Sequence, residues 1–289
     1  MALFITATCF VLRTHARRLF SKTNYVSFEC AGRLGNQLFE YSAAIDIAKR
    51  YPRMQVCMIC SDFHHWQGIV PRPVQCDPDL VRHDPVVKET GFAIYDNAFM
   101  TRINNGRGFR ISQFLQSYKY LQLVGQAFTF EKHIKQKVQR YLAQWSTHNM
   151  VGFHVRRTDM LSEPSYRIQV PSDFYRRAIA FFQERYGTNY LIVVVSDDLD
   201  WCKKQVVFQQ ANVVLAEEFT EPTESLALLA NCVHHVITIG TFGWWGAWLG
   251  TRRESITLYH NEFNISHPDR QHVVRLDDYY PPSWIEFKV

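Results

Sequence analysis

Between residues 150 and 259, short apolar runs alternate with longer amphipathic segments. The runs at 150–155 and 190–195 contain one histidine and no other charged type, which is typical of strands buried on both faces. Segment 172–186 has apolar residues at helical spacing and is followed by Gly187, a common stop signal for a helix. Because strands alternate with helices, we predict an α/β fold with a parallel, doubly wound sheet.

The same alternation extends over most of the chain. In the first half, strand 24–30, a tight turn at 32–35, helix 36–51 capped by Asn36 and strand 55–60 predict a β-α-β unit. Further predicted elements are, in chain order, helix 130–145, helix 201–209, strand 212–215, helix 223–231, strand 235–239, helix 242–249 and strand 255–259.

Length and composition fit a globular protein of two domains. The 289 residues are 47% hydrophobic and 15% aromatic, enough to fill two cores. A polar break at 146–149 places the predicted domains at 25–149 and 150–289, after an N-terminal tail or anchor remnant at 1–24. The net charge of +5 is too small and too scattered for a nucleic-acid groove, and it suits a small anionic ligand.

Seven cysteines are spread through apolar segments, and their odd number does not indicate a disulfide framework. We therefore predict that most of them are buried thiols. Cys57 and Cys60 form a C-x-x-C pattern, but they lie inside a predicted strand with no second pair, so a zinc or redox site is not favoured.

The first residues and one glycosylation triplet bear on the cellular compartment. Residues 2–12 are apolar but fall short of the about 20 residues needed to span a bilayer, and the nearest arginines follow this run. That order opposes a signal anchor with a lumenal domain, while membrane association through the N-terminus stays open. Asn264, followed by Ile265 and Ser266, is an N-glycosylation acceptor and gives weak support to a secretory location.

Three unusual segments follow three of the predicted strands: 154–159, 196–198 and 240–246. In parallel sheets, ligands bind at the carboxyl ends of the strands, where loops and helix N-termini converge. The third segment joins a glycine turn and the Thr241 hydroxyl to a helix start, whose N–H groups attract anions. We expect these three segments to form a ligand site.

Within the first of these segments, Arg156 and Arg157 are adjacent. A guanidinium stays charged and presents a planar fork of donors, so a pair can hold a diphosphate and absorb the charge that develops as it leaves. A solvated pair of loop arginines is the alternative. His154 and Arg156 share one face of the strand, and Asp159 can orient an arginine or form a plain salt bridge.

Two features have ordinary structural explanations. The tryptophans of 244–248 belong to a predicted helix, where aromatic side chains more often pack in the core than stack on a ligand. Asp198 and Asp200 spell D-x-D, a pattern of metal-dependent nucleotide-sugar enzymes. Because they precede a predicted helix, the helix start explains them, and no metal site is predicted. We expect Asp197 or Asp198 to accept ribose hydroxyls or a guanine edge instead.

Together these segments resemble the α-1,2-fucosyltransferases, the family of galactoside 2-α-L-fucosyltransferases. The blocks that carry the likeness are 32–37, 154–159, 196–202 and 241–249, with 114–120 and 281–284 as further similar segments. The resemblance implies a GT-B-like α/β fold, with two Rossmann-like domains whose mostly parallel sheets face a cleft. It implies inverting transfer of L-fucose from GDP-fucose to the 2-hydroxyl of a terminal galactose on a glycan, without a metal or other cofactor. It also implies a lumenal catalytic domain at the Golgi membrane.

The resemblance assigns roles to residues of this sequence. Arg156, Arg157 and Asp159 would be catalytic, with the two arginines holding the diphosphate. Residues that would contact the donor are His154, Asp197, Asp198, Thr241, Phe242 and Gly243. Residues that would face the cleft from the first domain are Gly32, Arg33, Gly35, Asn36 and Gln37.

The catalytic base and the nearest rival functions stay open at this level. Candidate bases for the acceptor hydroxyl are the departing phosphate, Asp159, Glu163, Glu29 and Glu40. The rival functions are another GDP-fucose-dependent transferase, of the protein O- or α-1,6-type, and a glycan-binding relative without turnover. Ala31, where many family members have glycine, and the short apolar start depart from the family pattern.

Overall fold

The computed structural model describes residues 24–51, 54–60, 64–81, 83–89, 91, 93–102, 108–112, 114–121, 128–145, 149–162, 169–238, 240–261 and 275–288. These residues fall into two compact units, one within 1–63, 71–127 and 273–279, the other within 64–70, 128–272 and 280–289. The predicted tail before Asn24, the candidate base Glu163 and the glycosylation acceptor Asn264 lie outside the described residues.

The described strands are β1 (Asn24–Glu29), β2 (Met54–Ile59), β3 (Ile69–Val70), β4 (Val86–Val87), β5 (Phe109–Ile111), β6 (Thr129–Phe130), β7 (Asn149–Val155), β8 (Tyr190–Ser196), β9 (Val213–Leu215), β10 (His234–Ile237), β11 (Thr257–Tyr259) and β12 (Ile285–Glu286). The described α-helices are α1 (Leu34–Arg50), α2 (Pro78–Val81), α3 (Asn97–Arg102), α4 (Lys132–Leu142), α5 (Thr158–Ser162), α6 (Ser172–Tyr186), α7 (Leu199–Lys204), α8 (Pro222–Asn231), α9 (Thr241–Gly250) and α10 (Leu276–Tyr279). None of these helices is long and apolar enough to cross a bilayer.

The first unit is built on a parallel sheet of order β2-β1-β5-β4, with α1 as the crossover between β1 and β2. The predicted β-α-β unit is therefore confirmed. The predicted cap is wrong, because α1 begins before Asn36 and has Arg33 at its N-cap. Gly32, with φ of +67°, turns the chain so that the Arg33 carbonyl already accepts the N–H groups of Asn36 and Gln37.

The second unit is built on a parallel sheet of order β12-β11-β10-β7-β8-β9. β7 and β8 are buried on both faces, as their apolar sequences predicted. The chain runs outward from β7 through β8 to β9 and then returns to place β10 on the other side of β7. The point at which the strand order reverses therefore lies between the carboxyl ends of β7 and β10, where α/β sheets bind ligands.

Helix α4 belongs to the second unit, although the sequence placed it before the domain boundary at residue 150. The Tyr141 ring packs 4.9 Å from the Phe219 ring, and Lys137 donates to Glu224 of α8 over 2.6 Å. The apolar face of this amphipathic helix is covered by α8, so packing and not the nearest polar break decides where it belongs.

Four cysteines form two disulfides, Cys30–Cys60 and Cys57–Cys76, each with Cα atoms 5.1 Å apart. The prediction that most cysteines are thiols is therefore wrong for these four, and Cys202 and Cys232 are the buried thiols of the described residues. Parallel pairing of β1 with β2 brings Cys30 close to Cys60, a long-range contact that spacing along the chain does not reveal.

Candidate active site

Arg156 and Gly240 meet at the point where the strand order of the second unit reverses. Gly240 has φ of +88° and precedes α9, and a Cβ atom built there would lie 2.1 Å from Nη1 of Arg156. The guanidinium therefore lies against the N-terminal end of a ten-residue helix. Helix N–H groups and a guanidinium both attract anions, so their meeting forms a candidate anion site.

A carboxylate fixes the orientation of Arg156. Its Nε and Nη2 donate to the two oxygens of Asp159, over 3.1 and 2.6 Å, and its side chain is 18% exposed. The Arg156 main-chain N–H donates to Oγ1 of Thr238, and that hydroxyl donates to the carbonyl of His154. This double tether holds the arginine in place before any ligand binds.

Arg157 has different surroundings. Its Cζ lies 3.7 Å from the ring centroid of Trp201, and its Nε donates to Asp198 over 3.2 Å. Its main-chain N–H donates to Asp197 over 2.8 Å. The two adjacent arginines are thus held by separate carboxylates and do not form one symmetric pair.

Both aspartates that follow β8 cap helices. Asp197 accepts from the N–H and the hydroxyl of Thr158 at the start of α5, and Asp198 accepts from the N–H of Trp201 in α7. The explanation of the D-x-D motif by a helix start is therefore correct for Asp198. The side chain of Asp200 is 88% exposed. Contacts of Asp197 or Asp198 with a nucleoside stay a prediction. Within the described ranges, no group of three or more His, Cys, Asp or Glu side chains could hold a metal ion.

His154 is buried beneath the first turn of α9. A Cβ atom at Gly243 would lie 2.4 Å from Nδ1 of His154, so only glycine fits above this ring, and Phe242 lies 5.4 Å from it between centroids. Burial and the nearby charge of Arg156 lower the pKa of His154 to about 4. The imidazole is therefore neutral at pH 7. Thr241, at the first position of the helix, is buried as well.

The five residues predicted to face a cleft lie in the first unit, at the start of α1. Gly32 and Arg33 are exposed and Asn36 is half-buried, whereas Gly35 and Gln37 are buried. The Gln37 amide donates to the Gly32 carbonyl over 3.1 Å, and Oδ1 of Asn36 accepts from Gln116 over 2.9 Å. These contacts fix the turn, and the role predicted for it stays a prediction.

The candidate bases differ in accessibility. Asp159 is held by the fork of Arg156. Glu40 is fully buried and accepts the N–H of Ala31, and burial, with a smaller contribution from Glu29, raises its pKa to about 9. Glu29 keeps 42% of its side chain exposed, and its two oxygens contact Arg110 and Ser112.

The tryptophans of α9 pack mainly inside the second unit. Trp244 and Trp245 are buried, and Trp248 is half-buried and stacks on Trp244. Trp284, near the end of the chain, packs 5.3 Å from Trp244 between ring centroids. The core-packing explanation is correct for the two buried rings.

Comparison with known proteins shows the family of this chain. A model of glycosyl transferase family 11 matches residues 98–288, which include β7, β8, α9 and both arginines. The chain belongs to glycosyl transferase family 11. It is 28% identical to the mouse (Mus musculus) galactoside 2-alpha-L-fucosyltransferase Sec1, over 88% of this chain and 71% of that protein. It is 29% identical to the human (Homo sapiens) galactoside alpha-(1,2)-fucosyltransferase 1, over 55% of this chain and 46% of that protein.

The fold of this family 11 glycosyltransferase is shared with solved structures. A crystal structure of POFUT1 in complex with GDP-fucose aligns with a TM-score of 0.54 at 13% identity, covering 81% of this chain and 98% of that one. At such identity the likeness concerns the fold alone. The predicted GT-B-like α/β class with mostly parallel sheets is confirmed.

Two residues of this family 11 site, Thr238 and Trp201, were given no role from the sequence. Gly240 belonged to the glycine turn predicted before the helix, and a glycine between a strand and a helix commonly has positive φ. Thr238 and Trp201 act through hydrogen bonding and stacking with residues far along the chain, which no local pattern shows.

Proposed function

We propose that this family 11 chain transfers L-fucose from GDP-fucose to the 2-hydroxyl of a terminal galactose on a glycan, with inversion at the sugar. The observation that carries the proposal is the meeting of Arg156 with the N-terminus of α9, inside the region that matches the family. Relatives named as galactoside 2-alpha-L-fucosyltransferases support the acceptor, and a structure of similar fold in complex with GDP-fucose supports the donor.

The donor diphosphate binds Arg156 and the first N–H groups of α9. As the bond between fucose and phosphate stretches, negative charge grows on the GDP oxygens while the sugar gains oxocarbenium character. Donors already aimed at those oxygens bind the transition state more tightly than the ground state. Asp159 holds Arg156 in place, so the guanidinium need not reorganise as charge develops. Arg157 adds a second fixed cation for the same donor.

The nucleoside end of the donor lies near the first turn of α9 and the loop after β8. Phe242 is half-buried and offers a ring, while the neutral His154 beneath it does not repel the Arg156 guanidinium. Asp197 and Asp198, Thr241 and Gly243 complete this proposed donor set.

The acceptor hydroxyl loses its proton on the side opposite the leaving group. Asp159 is held by Arg156 and Glu40 is fully buried, which disfavours both as the base. Glu29 and Glu163 stay as candidates, whereas the departing phosphate lies on the other face of the sugar from the attacking hydroxyl, which disfavours it in an inverting displacement. A Glu29→Gln variant that loses turnover but still binds GDP would favour Glu29.

The experiment that tests the function is incubation with GDP-fucose and an array of glycans, followed by linkage analysis of the products. We expect fucose α-1,2-linked to terminal galactose. Transfer to a folded peptide domain or to a chitobiose core instead would favour the rival transferases. Binding of glycans without transfer, together with no GDP binding by calorimetry, would favour a catalytically silent relative.

We also propose that the protein works in the secretory lumen, at the Golgi membrane. The two disulfides support an oxidising compartment, because cytosolic thiols are kept reduced. The glycosylation acceptor Asn264 fits the same location. A shift in mass on enzymatic removal of N-glycans, absent in Asn264→Gln, would support it, and a diffuse cytosolic distribution by microscopy would contradict it.

A further inference from the structure

Arg157 lies over an indole ring. The 3.7 Å from its Cζ to the Trp201 centroid is the distance of a stacked cation–π pair, and the arginine side chain is only 13% exposed. The side-chain hydrogen bond that the described residues make to this guanidinium is through Nε, to Asp198. Nη1 and Nη2 make no hydrogen bond to another residue that the structure describes, so they keep donors for a ligand.

One carboxylate contacts both residues of this pair. Asp198 accepts from Nε of Arg157 on one oxygen and from the main-chain N–H of Trp201 on the other, over 3.2 and 3.1 Å. The Asp198 N–H in turn donates to the hydroxyl of Ser196 at the end of β8. A single side chain anchored at a strand end thus holds the Arg157 side chain and the start of the helix that carries Trp201.

Core residues hold the indole from behind. Trp201 meets Tyr175 of α6 and Phe208 edge-on, with ring centroids 6.3 and 6.4 Å apart, and both of those rings are buried. Because the ring is fixed by the core and the arginine by the ring, the guanidinium plane is set before a ligand arrives. An arginine held in its binding geometry loses less conformational freedom on binding.

We propose that Trp201 is a positioning residue, which holds Arg157 in the orientation that binds the diphosphate of a nucleoside diphosphate sugar. The proposal rests on the proposed function for the identity of that ligand. Trp201 acts through Arg157 and does not itself need to touch the donor. Trp201 should therefore matter for GDP affinity only while Arg157 is present.

The test is a double-mutant cycle on GDP binding, measured by calorimetry with the full chain. We expect Trp201→Leu to weaken GDP binding and raise KM for GDP-fucose by about fivefold to tenfold, the size of a partly buried cation–π contact. Trp201→Phe keeps an aromatic face and should restore most of the affinity. In an Arg157→Leu background, Trp201→Leu should change GDP affinity by less than about twofold, because the contact between the guanidinium and the indole is already absent.

Trp145→Leu is the matched control, since this half-buried indole packs on Tyr141 of α4, and it should leave GDP affinity unchanged. Should Trp201→Leu fail to give native circular dichroism, Trp201→Phe and Trp201→His in both backgrounds complete the cycle. A Trp201→Leu effect no larger than that of Trp145→Leu, or an effect undiminished in the Arg157→Leu background, would overturn the proposal. Failure of the wild-type chain to transfer fucose would instead reject the proposed reaction. The double-mutant cycle on GDP affinity would still test the positioning role of Trp201.

Discussion

The guanidinium of Arg156 fills the space in which a side chain at Gly240 would begin. A Cβ atom there would lie 2.1 Å from Nη1, and the backbone of Gly240 has φ of +88°, which side chains rarely tolerate. The glycine lets a strand-end arginine and a helix N-terminus converge on one point. That convergence is the basis of the proposed donor site.

Replacing Gly240 should therefore damage function more than stability. We expect Gly240→Ala to lower kcat/KM for GDP-fucose by about 10²-fold, as for loss of a donor that stabilises developing charge, because the methyl group displaces Arg156. Gly187→Ala is the matched control, since Gly187 also has positive φ (+61°) but no atom within 4 Å of a Cβ. Both variants carry backbone strain of about 1–3 kcal/mol, which lowers Tm. Equal kinetics in the two variants would contradict the displacement of Arg156.

Removal of the arginine itself should abolish most turnover. We expect Arg156→Ala to lower kcat by about 10²- to 10³-fold, and Arg156→Lys to recover little, because an ammonium cannot donate the two parallel hydrogen bonds that the guanidinium gives to Asp159. Arg176→Ala is the control, since Arg176 is 65% exposed on α6 and pairs with Asp173. Steady-state kinetics with a galactose-terminated acceptor measure the effect. Turnover close to normal in Arg156→Ala would contradict a catalytic role for this residue.

Activity should not depend on a divalent cation. In the proposed site Arg156, Arg157 and the N-terminus of α9 carry the positive charge that a metal would otherwise supply to a diphosphate. We expect the initial rate to be unchanged after dialysis against EDTA. Complete loss of activity that manganese restores would revive Asp198 and Asp200 as metal ligands.

Glu40 makes the stability of the protein depend on pH. Its pKa rises from an ordinary 4.5 to about 9 on folding, so between these values the folded state keeps a proton that the unfolded state has lost. This contribution to stability is complete below pH 4.5 and is lost as pH rises through 9, with a slope of up to about 1.4 kcal/mol per pH unit. Glu40→Gln removes the titration, so its stability relative to wild type should improve between pH 5 and pH 8.

Chemical denaturation at each pH measures the difference between Glu40→Gln and wild type. Gln144→Ala, at an exposed side chain that does not titrate, should give a difference that stays flat over the same range. A difference for Glu40→Gln that does not change with pH would show that Glu40 is ionised in the folded protein.

The two disulfides should be detectable without a structure. We expect digestion of the unreduced, alkylated protein to yield the linked pairs Cys30–Cys60 and Cys57–Cys76 by mass spectrometry. Reduction should lower the free energy of unfolding by about 2–4 kcal/mol per bridge. Alkylated Cys57 or Cys60 in the unreduced sample would restore the prediction of buried thiols.

Much of the fold followed from local patterns. The Ser172–Tyr186 helix begins and ends where its spacing and Gly187 indicated, and β7 and β8 differ from their predicted bounds by one residue. The start of α1 was misplaced, since the positive φ of Gly32 lets the helix begin two residues earlier. The residue at which α1 begins depends on this one backbone turn, and several polar residues near it are suitable helix caps.

The sequence by itself determined the parallel α/β class and placed Arg156, Asp197 and Gly240 at strand ends, because buried strands and amphipathic helices have periods that are read locally. Only the tertiary structure decided that β10 returns beside β7, and with it that Arg156 meets Gly240 while Arg157 stacks on Trp201. Which side chains become partners depends on strand order and packing, which are set by contacts between residues far apart in the chain.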